Sequence, residues 1–127
     1  MGWMKRILLA EDNPVNQRVL IAFVQKLGHQ VSLAVHGTEV VEKFAAEQPD
    51  LILMDCNMPD VDGLEATRRI RRLEQERGLT ATPIIAVTAH ASGSSVAECR
   101  AAGMDDHISK PIMFDQFRAL MSRWAPD

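Results

Sequence analysis

Short, unbroken apolar runs alternate along the chain with longer segments in which apolar residues recur every three or four positions. The clearest runs lie at residues 7–10, 51–54 and 84–87. Runs of this length without polar interruption are typical of strands that are buried on both faces, as in a parallel sheet. Two further strands are predicted at residues 31–35 and 107–109, the first of them more exposed than the strand at 7–10.

Helical periodicity fills the intervals between these strands. The predicted helices span residues 14–27, 37–48, 63–77, 96–102 and 113–124. The first begins with Asn13 as its N-cap and Pro14 in its first turn, the usual place for a helical proline. Its predicted inner face repeats every fourth residue, at Val15, Val19, Phe23 and Leu27. Five strand–helix units in succession predict an α/β fold, with one parallel sheet, helices on both faces and right-handed connections.

The third predicted helix carries a dense set of charges outside a narrow apolar side. That apolar side consists of Leu64, Ala66, Thr67, Ile70 and Leu73. The charged positions are Arg68, Arg69, Arg71, Arg72, Glu74 and Glu76. Because acids interleave with the arginines and no aromatic residue accompanies them, we interpret these charges as a solvated face with local ion pairs.

Composition narrows the classes of partner. The chain has 127 residues, a length that is enough for one domain with one sizeable core. Its net charge is −3 and it has no basic stripe, so the sequence gives no electrostatic reason to expect nucleic-acid binding. No apolar run is long enough to span a bilayer, so we expect no membrane contact by this chain. Cys56 and Cys99 suit a reducing compartment and match no metal-binding spacing, and Cys56 is interpreted as a packing residue. His29 and His36 are interpreted as surface residues.

Polar residues follow four of the five predicted strands. Glu11 and Asp12 follow the first, Asp55 the third, Thr88 the fourth and Lys110 the fifth. Because parallel strands end at the same edge of a sheet, these side chains are expected to meet there. Clustered carboxylates repel each other and need a cation, and a set of oxygen ligands without His or Cys favours Mg²⁺.

This set of groups suits phosphoryl transfer. A carboxylate such as Asp55 can act as a nucleophile and form an aspartyl phosphate. The reaction then needs positioning and neutralisation of charge on the phosphoryl oxygens. Lys110 offers a mobile positive charge, Thr88 a hydroxyl donor, and Ala89 a backbone N–H with little bulk around it.

With these motifs the chain resembles the response-regulator receiver domain of two-component signalling. The resemblance covers residues 5–124 and rests on Glu11-Asp12, Asp55 with Asn57-Met58-Pro59 and Asp62-Gly63, Thr88-Ala89, and Lys110-Pro111. The opening at 7–17 is most like the receivers of hybrid sensor histidine kinases. The resemblance implies a flavodoxin-like fold with strand order 2-1-3-4-5. Residues 1–4 lie outside the resemblance and are either a native extension or residues left from cloning.

The resemblance also implies a role for each site residue. Asp55 would be the phosphoacceptor, attacking a phosphohistidine on a sensor histidine kinase or a histidine phosphotransfer domain. Asp12 and Asp55 would ligate Mg²⁺ directly, Glu11 would help through water, and the main-chain carbonyl of Asn57 would complete the protein ligands. The chain would catalyse its own phosphorylation and dephosphorylation and would turn over no outside metabolite.

The remaining implied roles concern the response to phosphorylation. Lys110 would bind the phosphoryl group, with a cis bond to Pro111, and Thr88 would move to bond a phosphoryl oxygen. His107 stands where the family often has an aromatic ring that swings inward, and the face of the fourth helix, last strand and last helix would change. Asn57 and His90 flank the site and are expected to tune hydrolysis of the acyl phosphate.

Two alternatives stay open at this stage. A Mg²⁺-dependent aspartyl phosphatase resembles a pattern with an acid two residues after the nucleophile, where this chain has Asn57. A flavin- or nucleotide-binding module would need a glycine-rich loop after the first strand, where acids stand instead. The expected location is cytoplasmic, either alone or as part of a larger membrane-attached kinase.

Overall fold

The computed structural model describes residues 4–58, 60–89 and 93–125. Strands and helices alternate strictly along the described chain. The elements are β1 (Arg6–Ala10), α1 (Pro14–Lys26), β2 (Gln30–Ala34), α2 (Gly37–Glu47), β3 (Leu51–Asp55), α3 (Gly63–Arg77), β4 (Ile84–Thr88), α4 (Gly93–Ala102), β5 (Asp106–Ser109) and α5 (Phe114–Trp124). The predicted five-unit α/β pattern is therefore confirmed.

The five strands form one sheet in the order β2-β1-β3-β4-β5, and all four neighbouring pairs are parallel. This is the order that the resemblance implied. The register places Asp55 of β3 opposite Val87 of β4, and Thr88 opposite Ser109 of β5. The polar residues at the strand ends are thereby brought to one edge of the sheet, as expected for parallel strands.

Each face of the sheet is covered by its own helices. On one face, α2, α3 and α4 pack Val40, Phe44, Ala66, Ile70 and Cys99 against the strands. On the other face, α1 and α5 contribute Leu20, Val24, Phe117, Leu120 and Met121. Successive strand residues point to opposite faces, so both faces of β1, β3 and β4 need apolar side chains. That requirement explains their unbroken apolar sequences.

The predicted inner face of α1 is wrong in its first half. Val15 is 66% exposed and Val19 is 37% exposed, whereas Leu20 and Val24 are buried. A helix turns about 400° over four residues, so a strict four-residue repeat drifts by about 40° at each step and leaves the core. The core stripe of α1 is centred on Leu20, and Val15 and Val19 form an apolar patch on the surface.

The helix boundaries differ slightly from the predicted ones. Gln48, predicted as the last residue of the second helix, has a left-handed conformation with φ 47° and ends α2 at Glu47. The fourth helix begins at Gly93, three residues before the predicted start. Glycine and serine lower helix propensity without preventing a helix that packs on the sheet.

The solvated interpretation of α3 is wrong at Arg71 and Glu74. Glu74 is only 4% exposed. The Arg71 guanidinium donates to the carbonyls of Gly103 and Thr82 at 2.9 Å each, and pairs with Glu74 and Asp105 at 2.8 Å. The pair joins α3 to the segments that enter β4 and β5, so it belongs to the fold's interior.

The two histidines interpreted as surface residues are both tied to the backbone. His29 is buried, and its Nδ1 accepts from the N–H of Lys5 at 3.0 Å. The interpretation of His29 as a surface residue is therefore wrong. His36 is half-buried and is the N-cap residue of α2, accepting from the N–H of Glu39 at 3.4 Å.

Candidate functional site

Three carboxylates converge at the carboxyl edge of the sheet. Glu11 and Asp12 directly follow β1, and Asp55 ends the neighbouring strand β3. One oxygen of each lies within 4.8 Å of the others. The predicted meeting of these acids is therefore observed, with Glu11 and Asp55 buried and Asp12 exposed.

Glu11 is held in place from two sides. Its Oε2 accepts from the N–H of Asn13 at 3.1 Å, and its carbonyl accepts from Gln17 Nε2 at 2.8 Å. Its Oε1 is buried and has no hydrogen-bond partner among the described residues. Burial, together with the neighbouring Asp55 carboxyl, raises the pKa of Glu11 from 4.5 to about 7.

Lys110 supplies the positive charge. Its Nζ lies 3.5 Å from Glu11 Oε1 and 3.5 Å from Asp55 Oδ2, and its side chain is 22% exposed. Its backbone N–H donates to the Thr88 carbonyl at 2.8 Å, which anchors the end of β5 to the end of β4. The bond from Lys110 to Pro111 is cis, as the resemblance implied.

Asp55 is the central group of the site. Its Oδ1 accepts from the N–H of Asn57 at 3.0 Å, and its side chain is 2% exposed. The residues around it at the edge of the sheet include Asp12, Asn57 and Ala89, which are exposed. The carboxylate is therefore buried beside the Lys110 ammonium, with exposed residues close by at the edge of the sheet.

The loop after Asp55 is packed closely against the following helix. The N–H of Gly63 donates to the Cys56 carbonyl at 3.3 Å. A Cβ on Gly63 would lie 2.3 Å from the Asp55 carbonyl oxygen, which no real side chain tolerates. Gly63 is thus required for the backbone at the site, and the Asp62-Gly63 motif was the sequence signal for it.

The remaining predicted residues lie on β4 and β5 and in the segments that follow. Thr88 is buried at the end of β4, and Ala89 follows it at the surface. His107 lies on β5, opposite Ala86, and lines a narrow crevice against α4 together with Val96 and Cys99. His107 is therefore separate from the acidic cluster, at the boundary between α4 and β5. His90 lies outside the described residues.

Sequence reasoning missed two supports of this arrangement. Gln17 holds the backbone of Glu11, and nothing in a helical glutamine pattern indicates that contact. Asp106 accepts from the His107 N–H and from the Trp124 indole at 2.8 Å each, which ties β5 to α5. Only the fold brings Asp106 and Trp124 together, since they are 18 residues apart.

The donor set fits a hard divalent cation. All three side chains offer carboxylate oxygens, and the buried Oε1 of Glu11 has no hydrogen-bond partner among the described residues, only the Lys110 ammonium at 3.5 Å. Oxygen ligands of this kind suit Mg²⁺ or Ca²⁺, and Mg²⁺ is the ion that assists phosphoryl transfer. When bound, it would supply two positive charges beside Asp55.

No helix in the described ranges is both long enough and apolar enough to cross a bilayer.

Comparison with known proteins gives consistent results. The family model for the response regulator receiver domain matches residues 7–122. A hybrid signal transduction histidine kinase from Dictyostelium discoideum is 40% identical over 95% of this chain. This chain spans 4% of the length of that kinase, and 15% and 13% of the lengths of histidine kinases from Oryza sativa subsp. indica and Pseudomonas syringae pv. syringae.

Two solved structures share the fold. The receiver domain of a sensor histidine kinase from Pseudomonas aeruginosa, solved with a magnesium ion coordinated in its active site cleft, is 40% identical. Its TM-score is 0.87, and the match covers 98% of this chain and 99% of that one. A receiver domain of a Saccharomyces cerevisiae response regulator, solved with a histidine phosphotransfer signaling protein, is 28% identical. Its TM-score is 0.91, with 96% of this chain and 89% of that chain covered.

Proposed function

The chain belongs to the response regulator receiver domain family, and from that premise we propose that Asp55 accepts a phosphoryl group from a phosphohistidine in the presence of Mg²⁺. One observation carries this proposal. The carboxylates of Glu11, Asp12 and Asp55 have oxygens within 4.8 Å of one another, and Lys110 Nζ lies 3.5 Å from Asp55 Oδ2. Phosphoryl transfer needs positive charge beside the nucleophile, and here Lys110 supplies an ammonium while the three carboxylates would hold a divalent cation.

The transfer uses the two oxygens of Asp55 differently. Oδ1 accepts from the Asn57 N–H, whereas Oδ2 faces the Lys110 ammonium. Oδ2 is taken as the nucleophile because the Lys110 ammonium lies beside it: it bonds to phosphorus as the phosphorus–nitrogen bond to the donor histidine breaks, and an acyl phosphate forms. The Lys110 ammonium moves from Asp55 to a phosphoryl oxygen, where its positive charge neutralises negative charge on the transferred phosphoryl group.

The cation site consists of this chain's own oxygens. Asp12 and Asp55 would hold the ion directly, Glu11 would help through water, and the main-chain carbonyl of Asn57 would complete the set. Glu11 is suited to an outer role because its carboxylate is fixed by Asn13 at 3.1 Å, with its second oxygen directed to Lys110 at 3.5 Å. Hydrolysis of the acyl phosphate by water at the same site returns Asp55 to its resting state.

The response to phosphorylation passes through β4 and β5. The Thr88 hydroxyl bonds a phosphoryl oxygen, and Ala89 adds its backbone N–H. Lys110 donates its N–H to the Thr88 carbonyl, so a shift of Thr88 is transmitted to β5, which carries His107. His107 lies against α4, and its reorientation changes the surface formed by α4, β5 and α5. The phosphoryl group favours one of two existing arrangements.

The phosphoryl donor is a sensor histidine kinase or a histidine phosphotransfer domain. Val15 and Val19 support a docking surface, since both are exposed apolar residues on α1. Helix α1 begins two residues after Asp12, so a protein seated on this patch brings its histidine to the acidic edge. An apolar patch rimmed by charges is typical of a transient interface. The proposed location is the cytoplasm, where such a donor would reach the chain, either alone or as part of a larger membrane-attached kinase.

The test is labelling with acetyl phosphate and Mg²⁺, followed by intact-mass measurement. Wild type and Asp115→Asn, a matched control at a side chain that is 92% exposed, should each gain one phosphoryl group. Asp55→Asn should gain none, and chelation of Mg²⁺ should abolish labelling of the wild type. Equal labelling of Asp55→Asn and wild type would show that another residue is the acceptor.

A further inference from the structure

Two cysteines meet beside the phosphoacceptor strand. Cys56 Sγ and Cys99 Sγ lie 3.6 Å apart, although the residues are 43 positions apart in sequence. Both are free thiols; Cys56 is half-buried and Cys99 is buried. Cys56 is the first residue after β3, and Cys99 lies in the last turns of α4. The contact therefore joins the loop behind Asp55 to the helix that borders His107.

The backbone presents Cys56 rigidly to α4. Its N–H donates to the Val87 carbonyl at 3.2 Å, and its carbonyl accepts from Gly63 at 3.3 Å. A disulfide has a sulfur–sulfur length of about 2.0 Å, so the observed 3.6 Å must shorten by about 1.6 Å. Cys56 is fixed through its backbone, so this change requires rotation of the two side chains and any remaining movement falls to α4.

We propose that Cys56 and Cys99 are a modification site, at which a peroxide converts the two thiols into an intramolecular disulfide. One thiol loses its proton, the thiolate attacks the peroxide, the oxygen–oxygen bond breaks, and a sulfenic acid and hydroxide form; the hydroxide takes up the proton that the thiol lost and leaves as water. The second thiol then attacks that sulfur, the sulfur–sulfur bond forms, and a second water leaves. Two thiols lose two electrons and two protons, and hydrogen peroxide is reduced to two waters.

The same geometry predicts that the reaction is slow. Burial, followed by the neighbouring Cys99, raises the pKa of Cys56 to about 12, so little thiolate is present there at neutral pH. The two thiols are therefore oxidised to the disulfide only under sustained exposure to peroxide, and the pair does not act as a rapid sensor. The proximity of the second thiol favours disulfide over further oxidation, because ring closure competes with a second peroxide molecule.

The bond would restrain the element that borders the switch residue. Cys99 and His107 line the same crevice between α4 and β5. Tying Cys99 to Cys56 fixes α4 to the end of β3, so α4 moves less freely when Asp55 is modified. Formation of the disulfide does not depend on the proposed function, whereas its effect on phosphorylation-driven switching rests on it.

The first experiment maps the bond in the folded chain. Wild type is treated with hydrogen peroxide, blocked with a maleimide, and digested with trypsin without reduction. Trypsin cuts after Lys43 and Arg68 and releases residues 44–68, which contain Cys56. It cuts after Arg77 and Arg100 and releases residues 78–100, which contain Cys99. We expect these two peptides linked in a monomeric protein, and separated again by dithiothreitol. Sulfinic acids without a linked pair, a disulfide between two chains, or unchanged thiols would each overturn the proposal.

The second experiment measures the restraint without using phosphorylation. Amide hydrogen exchange in α4 should slow several-fold in oxidised wild type, and the reduced protein should return to the original rate. Cys99→Ala, treated with the same peroxide, should show no such change. Equal exchange in linked and reduced wild type would overturn the restraint, even where the linked peptides are found. Loss of labelling at Asp55 would leave both results unaffected, so the two proposals fail separately.

Discussion

The buried charges of α3 lead to a prediction that separates them from the exposed charges next to them. Arg71 makes four hydrogen bonds, and its partner Glu74 also accepts from the Thr82 N–H at 2.7 Å. Replacing Arg71 by Met keeps an unbranched apolar side chain close to the arginine stem but removes the guanidinium and its positive charge. Glu74 then stays buried as an uncompensated carboxylate.

The structure sets the magnitude. Breaking a buried ion pair from one side costs about 3–5 kcal/mol, because the remaining charge has lost both its partner and its water. Side-chain exposure is 5% for Glu74, 20% for Arg71 and 35% for Asp105, so solvent screens part of the loss. We therefore expect Arg71→Met to lower the free energy of unfolding by about 3 kcal/mol, the lower end of that range. Exposed Arg72→Met should change it by about 0.5 kcal/mol or less.

Urea denaturation followed by circular dichroism measures this difference. With a denaturant slope of about 1.5–2 kcal/mol/M, the midpoint for Arg71→Met should fall by about 1.5–2 M, with the slope unchanged. The double variant Arg71→Met/Glu74→Met removes the stranded carboxylate and should recover part of the loss. Equal midpoints for Arg71→Met and Arg72→Met would refute the reasoning, since the two arginines differ in burial and in partners.

Three further predictions follow from the site and its surroundings. In the metal-free chain, Glu11 keeps its proton up to about pH 7 when folded but only to about 4.5 when unfolded, so the free energy of unfolding should fall as pH rises through that window, and Glu11→Gln should flatten the fall in urea titrations. Gly63→Ala should lower the unfolding midpoint, because its Cβ would lie 2.3 Å from a backbone oxygen of β3, while Gly93→Ala, with nothing within 4 Å, should be neutral or slightly stabilising. The oxidised Cys56–Cys99 form should have a free energy of unfolding higher than that of the reduced form by up to about 4 kcal/mol, for a closed loop of this size, and should therefore unfold at a higher urea concentration. Equal midpoints would contradict the loop-closure argument.

The sheet could be predicted because its sequence signal is local. Three unbroken apolar runs indicate strands that are buried on both faces. Their regular alternation with helices is typical of a parallel sheet that is covered by helices on both sides. The site followed from the same reasoning, since strand ends in a parallel sheet share an edge. The order of the strands came from the resemblance, because periodicity alone does not determine which parallel strands are neighbours.

The errors have a common physical cause. Arg71 and Glu74 follow the spacing of a surface ion pair, and the contact that buries them, Asp105, is 34 residues away from Arg71. Val15 and Val19 fit a helical repeat, yet that repeat drifts off the core, and their exposure depends on where α1 packs. In each case local pattern fixes the residue's position on its helix, whereas burial depends on the packing of distant elements.

The most direct test of the central claim is to trap the acyl phosphate and locate it in the chain. The protein is labelled with acetyl phosphate and Mg²⁺, reduced with borohydride, which converts an aspartyl phosphate to homoserine, and digested with trypsin. The account predicts homoserine at position 55 within the peptide of residues 44–68, and none in a sample from which Mg²⁺ has been chelated. Homoserine at Asp12, Asp60 or Asp62 with Asp55 unchanged would contradict it.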